Sequence, residues 1–288
     1  MKCLLCGKKT GKIMKVVDGV QIFECENCQL GFVDQAKFIK QNLNSQYQLK
    51  EYKKEEKMIV SRLGPIVDNI VRYKSSGSVL EIGPGHGLLS SLLLKSGNFN
   101  LDVVEPSLTP HYLPKKSFTL HKLDLDGFLK INKKKFDLVI MFDVIEHLKD
   151  PFASLFKIIK IINEGGALVI QTPNYQSLMQ WMTKKWSWWM IEDHKWFFSP
   201  LSLRKALRKN GLSEVYSRTY EDLIDLKKNL DGNYTFLKNT YIRKIAKAIF
   251  FTIFIPFYFS TRKLFWKLGK GGLILVIARL DAINNGDD

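Results

Sequence analysis

The sequence predicts an α/β fold, a parallel sheet with helices on both faces, preceded by a small four-cysteine unit. Three observations predict it. From about residue 78 onward, apolar strand-like runs alternate with helical ones, an order that closes into a parallel sheet. The first of these runs, Val79 to Ile82, leads directly into three glycines at alternate positions, Gly83, Gly85 and Gly87. All four cysteines of the chain stand near its start, as Cys3-x-x-Cys6 and Cys25-x-x-Cys28.

The cysteine pairs come first in chain order. Eighteen residues separate Cys6 from Cys25, a gap that fits the four-cysteine zinc template. Between them Ile13 to Val17 and Val20 to Glu24 flank Asp18-Gly19, the two-residue signal of a type I′ hairpin, which would bring the two knuckles together. Cys3, Cys6, Cys25 and Cys28 are therefore expected to hold one structural Zn²⁺ in a zinc ribbon over residues 1–35. Four thiolates close the tetrahedral shell, and a segment this short has too small a core to fold otherwise. Two disulfides or free thiols are the alternatives, disfavoured in a reducing compartment. A closed shell builds structure and performs no chemistry.

Residues 36–75 read as a helical linker, polar at first and then amphipathic, with Ile59, Leu63, Ile66, Val67 and Ile70 at helical spacing. Gly64-Pro65 predicts a break into two helices, the second with Pro at its first position. Residues 76–288 then hold the main sheet. Its strands are read at Val79 to Ile82, Leu101 to Val104, Phe118 to Leu123, Phe136 to Phe142, Gly165 to Pro173, Leu212 to Thr219 and Gly271 to Leu280.

The glycine run carries the first chemistry. Gly-x-Gly-x-Gly after a strand lets the chain turn sharply and lets a ligand approach main-chain atoms, while the helix beginning near Leu88 points free N–H groups at the same place. A carboxylate suits that position, and S-adenosylmethionine carries one. The dinucleotide fingerprint is Gly-x-Gly-x-x-Gly, so a third glycine one residue early argues for the methyl donor over NAD. Glu105, at the end of the second strand, stands where an acid would bind ribose hydroxyls.

From Glu81 and the glycine loop, through Asp143-x-x-Glu146-His147, to Gly165-Gly-Ala-Leu-Val-Ile-Gln-Thr-Pro173-Asn, the succession resembles the S-adenosylmethionine-dependent class I methyltransferases, especially the group that includes the ubiquinone-type O-methyltransferases. The resemblance runs over roughly residues 78 to 220 and returns for the last strand. It implies a Rossmann-like class I methyltransferase sheet, with S-adenosylmethionine held by Glu81, Gly83, Gly85, Gly87 and Glu105, Asp124 and Leu125 bordering the adenine, and Asp143 closing the set. It also implies that the linker covers the cofactor, with Tyr47 and Tyr52 either closing over it or packing as ordinary tyrosines. Similar ribbons precede the methyltransferase domain in deoxysugar C-methyltransferases.

Methyl transfer needs an aligned nucleophile and, for oxygen, a base. Two histidines are the candidate catalytic residues. His147 follows the fourth strand, and Asp143, Glu146 and His147 at i, i+3 and i+4 would lie on one side of a helical turn. Ubiquinone-type enzymes have a similar carboxylate-x-x-Glu-His with a divalent-metal dependence, and here Asp143 stands where those have Glu; the alternative is a cap that merely shapes the pocket. His194, in Glu192-Asp-His-Lys-Trp-Phe-Phe-Ser199-Pro200, resembles the family's His-x-x-x-Phe-Ser segment ahead of a helix capped by Ser199 and stopped by Gly211. It is either a base or a structural histidine. His86, His111 and His121 carry no comparable pattern and read as loop or surface residues.

Composition bears on the partner. The chain has 288 residues, 45% of them apolar, and a formal charge of +16, which implies an acidic partner, either nucleic-acid phosphates or an anionic membrane surface. Five of the six tryptophans crowd between Trp181 and Trp196, which reads as a wall for a bulky substrate or an interfacial anchor, with packing of a helix on the sheet as the alternative. Between the last two strands, an insert at about 220–270 centres on Ala248 to Thr261, uncharged and aromatic, with Arg243, Lys244 and Lys247 before it and Arg262, Lys263, Lys267 and Lys270 after. Its apolar core is too short to span a bilayer and suits a helix or helical hairpin lying in the headgroup region. The expected function is methyl transfer to an amphipathic or lipid-linked small-molecule acceptor, a quinone precursor or a glycan, at an anionic membrane surface. With no N-terminal apolar run, the chain is expected in the cytoplasm, peripheral to the membrane's inner face. An RNA methyltransferase is the alternative enzyme, and a non-catalytic binding protein on the same fold the other class.

Overall fold

The computed structural model describes residues 1–34, 49–107, 110–114, 117–183, 185–221, 223–233 and 239–280; Tyr47 lies outside them. Strands β1 (Lys12–Val17) and β2 (Val20–Glu24) form the hairpin, with Asp18 and Gly19 both at positive φ as a type I′ turn requires. β3 (Gly31–Val33) adds antiparallel to β2. The ribbon gains its fourth strand from far along the chain, because Gly31 and Phe32 pair with Phe197 and Trp196.

α1 (Leu49–Tyr73) is one continuous helix, and the expected break at Gly64-Pro65 does not occur. Pro65 costs the helix about 3 kcal/mol. Burial of Ile59, Leu63, Ile66, Val67 and Ile70 on one face contributes about 1.5–3 kcal/mol for each side chain, so packing outweighs the missing bond.

The main sheet follows: β4 (Ser76–Ile82), α2 (Leu88–Ser96), β5 (Asn98–Val104), β6 (Phe118–His121), α3 (Leu125–Ile131), β7 (Phe136–Phe142), α4 (Pro151–Ile159) and β8 (Ile162–Pro173). After β8 come α5 (Leu178–Met182), β9 (Trp196–Phe197), α6 (Pro200–Lys209), β10 (Leu212–Tyr220), α7 (Leu223–Asn233), α8 (Thr240–Lys267) and β11 (Leu273–Leu280). The strand order is β10-β11-β8-β7-β4-β5-β6. Strands β4 to β8 run parallel, while β11 is antiparallel to both neighbours. Alternate strand residues feed two cores. Val79, Val103, Ile140 and Val169 pack with α1 and α2 on one face, and Leu80, Val104, Met141 and Ile170 pack with α3, α4 and α6 on the other. The sheet is thus covered on both faces, as its near-continuous apolar strands require.

Two expectations change. The tryptophans are mostly core: Trp186, Trp188, Trp189 and Trp196 are buried, and Trp181 alone of the five stands in solvent, 81% exposed. Their rings fill the space between β9 and the ribbon, with Trp189 edge-on to Trp186 and Phe197. The insert, expected as a helix or helical hairpin centred on Ala248 to Thr261, is one continuous 28-residue helix, α8, running through Pro256. Among the described residues no helix is long and apolar enough to cross a membrane.

Candidate active site

The order of strands reverses at β4, whose neighbours β5 and β7 lead in opposite directions, and ligands of such sheets bind outside the carboxyl ends of the strands at this point. A cavity of about 300 Å³ opens there. Its wall includes Glu81, Gly83, Gly85, Glu105, Asp143, His147 and Gln171 from the sheet side, and Tyr52 from α1. Gly83, Gly85 and Gly87 have φ of 67°, 55° and 81°, the left-handed region that a side chain resists. A Cβ on Gly83 would meet Val144 Cγ2 at 2.7 Å, whereas at Gly85 it would point into open space. Gly83 is therefore fixed by packing, and Gly85 keeps the loop accessible to a ligand.

Two acids face this cavity with different partners. Glu81 is buried, receives the Ser90 hydroxyl, and is pushed up to about 8 by the loss of water around it. Glu105 accepts from Ser107 N at 3.0 Å and from Ser107 Oγ at 3.2 Å, which orients its carboxylate at the end of β5. Tyr52 closes the opposite side, edge-on to His86 at 4.8 Å and near Tyr112, whose hydroxyl donates to Glu56. His86 is consequently not a surface residue: it is buried and lines the cavity beneath α1. Of the remaining sequence candidates, Gly87 sits at the start of α2 against Leu113 and Pro110, and neither Asp124 nor Leu125 is on the cavity wall. The Asp124 carboxylate caps α3 by accepting from Gly127 N at 2.7 Å.

Asp143, Glu146 and His147 do not form one helical face. Asp143 ends β7 with φ 54°, before the single 3-10 turn of Ile145–His147, and both its carboxylate oxygens accept from Gln171 Nε2, at 3.1 and 3.0 Å. The Tyr220 hydroxyl holds the other end of Gln171. What converges on His147 instead is His194, with Glu146 beside them: one ligand atom from each lies within 4.8 Å of the others. Glu146 receives Thr172 Oγ1 at 3.0 Å on one oxygen and has a buried second oxygen without a hydrogen-bond partner. Burial, then the neighbouring Asp143 charge, keep its carboxyl well above the usual range. Burial holds both histidines below theirs, His194 the more strongly, with the His147 ring adding to the effect. His147 reaches the cavity, while His194 is enclosed, stacked on Trp188 and bonded through Nδ1 to Trp188 O at 3.1 Å.

The cysteines converge as a separate centre. Cys3 and Cys28 Sγ lie 3.5 Å apart, as do Cys6 and Cys25, none is in a disulfide, and all four fall within 4.8 Å. The Cys28 thiol beside it draws Cys3 down to about 5. Zn–S bonds of 2.3 Å imply tetrahedral edges of about 3.8 Å, inside the observed spread. Around this centre the ribbon is bonded to the main domain: Tyr175 Oη donates to Glu24 Oε1 (2.8 Å) and Gln29 O (3.0 Å), Ser199 Oγ to Gln29 O, and Lys209 Nζ to Leu5 O.

Comparison with known proteins agrees with this geometry. The ubiquinone biosynthesis O-methyltransferase of Aliivibrio fischeri strain MJ11 is 24% identical over 205 residues, 60% of this chain and 83% of that protein. Its counterpart in Cereibacter sphaeroides strain ATCC 17025 is 29% identical over 159 residues, 48% of this chain and 60% of that one. Among solved structures, an S-adenosylmethionine-dependent methyltransferase of Archaeoglobus fulgidus superposes with a TM-score of 0.54 at 20% identity, covering 80% of this chain and 99% of that one. One from Thermotoga maritima gives 0.51 at 17%, covering 81% and 96%. The family described as methyltransferase domain matches residues 52–217, the stretch that runs from Tyr52 over the cavity through the glycine loop to β10. With more than half of its length in that match, the chain belongs to the methyltransferase-domain family and is an S-adenosylmethionine-dependent methyltransferase.

Proposed function

We propose that the enzyme methylates an amphipathic or lipid-linked small molecule, of the quinone-precursor or glycan kind, at a membrane surface, with Cys3, Cys6, Cys25 and Cys28 holding a structural zinc. The observation that carries the acceptor side is α8, on which Ile242, Ile245, Ile249, Ile253 and Phe257 are exposed at spacings of three and four. Such a row on a helix rich in Lys and Arg suits the headgroup region of an anionic bilayer. The relatives named for ubiquinone biosynthesis support an amphipathic acceptor.

In this reading S-adenosylmethionine lies along Gly83 and Gly85, with Glu81 near its cationic end and Glu105 on its ribose hydroxyls. Gly87 and Asp124 with Leu125 act indirectly, by fixing the starts of α2 and α3. When bound, S-adenosylmethionine would supply an electrophilic methyl group, and the acceptor hydroxyl would give its proton to a base as its oxygen takes that methyl. His147 is that base: it reaches the cavity, and burial lowers its pKa so that the ring is neutral and able to take a proton. His194 positions it, with ring centroids 4.6 Å apart. Asp143, Glu146 and His147 do not share one helical face, and in this reading the proton goes to His147.

Cosedimentation with neutral and anionic vesicles tests the membrane assignment against an Ile249→Ser/Ile253→Ser/Phe257→Ser variant. The wild type is expected to pellet with anionic vesicles and to keep part of that binding in high salt, and the variant to lose it. Binding that ignores the three substitutions and vanishes with salt would instead favour an RNA substrate.

A further inference from the structure

A second cavity, of about 460 Å³, opens on the opposite flank of the sheet, where α6 and β10 meet the last turns of α8. Four cationic side chains line it: Arg204, Arg218, Lys263 and Lys267, with Ser217 and Trp266 between them. Only one of the four has an acidic partner among the described residues, Arg204 to Glu214 at 3.0 Å through Nε. The Arg218 guanidinium lies over the Tyr220 ring at 4.9 Å, and its buried Nε has no hydrogen-bond partner. Lys263 and Lys267 stand at i and i+4, so they face the same side and repel each other. Ordinary lysine-rich surface spreads its charges into solvent. Here they converge on a concavity, where a bound anion would relieve the repulsion and supply the missing acceptor.

We propose that this cavity binds the phosphate of an anionic lipid headgroup. The neighbouring helix face identifies the source. Leu264 is exposed seven residues beyond Phe257 and so continues the apolar row of α8, and Lys267 follows it by three. Cations and apolar row thus share one helix face, the pattern an amphiphile with an anionic head meets and a soluble phosphate does not require. Arg262, stacked on Phe259 and Trp266 at 4.4 and 5.3 Å, stiffens the same turns. The inference rests on the membrane reading above and adds to it a defined headgroup site.

The test uses the full chain, vesicles of phosphatidylcholine with and without phosphatidylglycerol, and the exposed-site variant Lys263→Gln/Lys267→Gln. Each lysine near an anionic surface is worth about fivefold, so the double variant should bind anionic vesicles ~30-fold more weakly and neutral vesicles unchanged. Arg218→Gln should weaken anionic binding further. S-adenosylmethionine binding, measured by calorimetry, should be unchanged in all of them, because none of these residues lines the cofactor cavity. Anionic-vesicle affinity that survives the double substitution overturns the headgroup site and leaves the membrane reading standing. A wild type that binds no vesicle overturns both. Glycerol phosphate or RNA binding that the double variant loses, with no preference for anionic vesicles, overturns the lipid assignment in favour of a soluble phosphate or a nucleic acid.

Discussion

Two regions meet at His147 and are built by opposite means. On the β4–β5 side the chain turns through left-handed glycines and leaves an open cavity whose walls are polar and titratable. On the β8 side it closes over His194 with stacked rings, and β9 completes a sheet that belongs mostly to the ribbon. The glycine turns of the first region depend on neighbours in sequence, the second region on contacts between residues 1–34 and a segment about 160 positions further along. Cofactor binding and acceptor-side architecture should therefore respond to different perturbations.

The largest expected effect separates them outright. Removing the proposed zinc by chelation, or by Cys25→Ser/Cys28→Ser, should take away a contribution on the order of 10–16 kcal/mol to the ribbon's folding. Hydrogen exchange should then lose protection in β1 to β3 and in β9, while β4 and β5 stay protected and S-adenosylmethionine affinity stays within a few-fold. Protection of β9 that survives chelation would show that the aromatic region stands without the ribbon. On the cofactor side, Glu105→Ala removes a charged acceptor and should cost roughly 1.5–3 kcal/mol, about a ten- to hundredfold loss of affinity by calorimetry, with ribbon exchange untouched. An unchanged affinity would remove Glu105 from the ribose.

The smallest effect concerns Glu81. Because burial raises its carboxyl to about 8, the group is mostly protonated at neutral pH in the ligand-free cavity, whereas a cationic ligand favours its charged form. Binding should release a proton, so affinity rises with pH, by up to about tenfold between pH 7 and 9, and levels off above. Glu81→Gln should flatten this dependence. The same slope in the variant would assign the proton to the ligand alone.

The same division governs what could be read from the sequence. The glycine loop, the Asp18-Gly19 hairpin, the cysteine spacing and the strand succession were legible, because each depends on residues a few positions apart. Gln171 was within reach too, since it ends a strand at the carboxyl edge where sites of this fold lie. The misreadings concern distant packing. Pro65 signals a break that five buried side chains override. His86 has no sequence pattern, and it is the packing of Tyr52 from α1 and of His111 that covers this loop residue. The tryptophans suggest an interface by density alone, yet four are claimed by the ribbon and β9. Asp143 keeps the carboxylate-x-x-Glu-His spacing but does not share one helical face with Glu146 and His147, because a left-handed backbone after β7 turns its carboxylate to Gln171.

The pairing of β3 with β9 also sets an order of events at the ribosome. About 160 residues separate the two strands, and at ~5–20 residues per second the partner emerges roughly ten to thirty seconds later. Throughout that interval β3 is a bare strand edge, open to pairing with another nascent chain. Early metal capture by the cysteines would stabilise the hairpin that carries this edge while it waits, so zinc supply during synthesis would govern the yield of soluble protein as well as the fold of the finished ribbon.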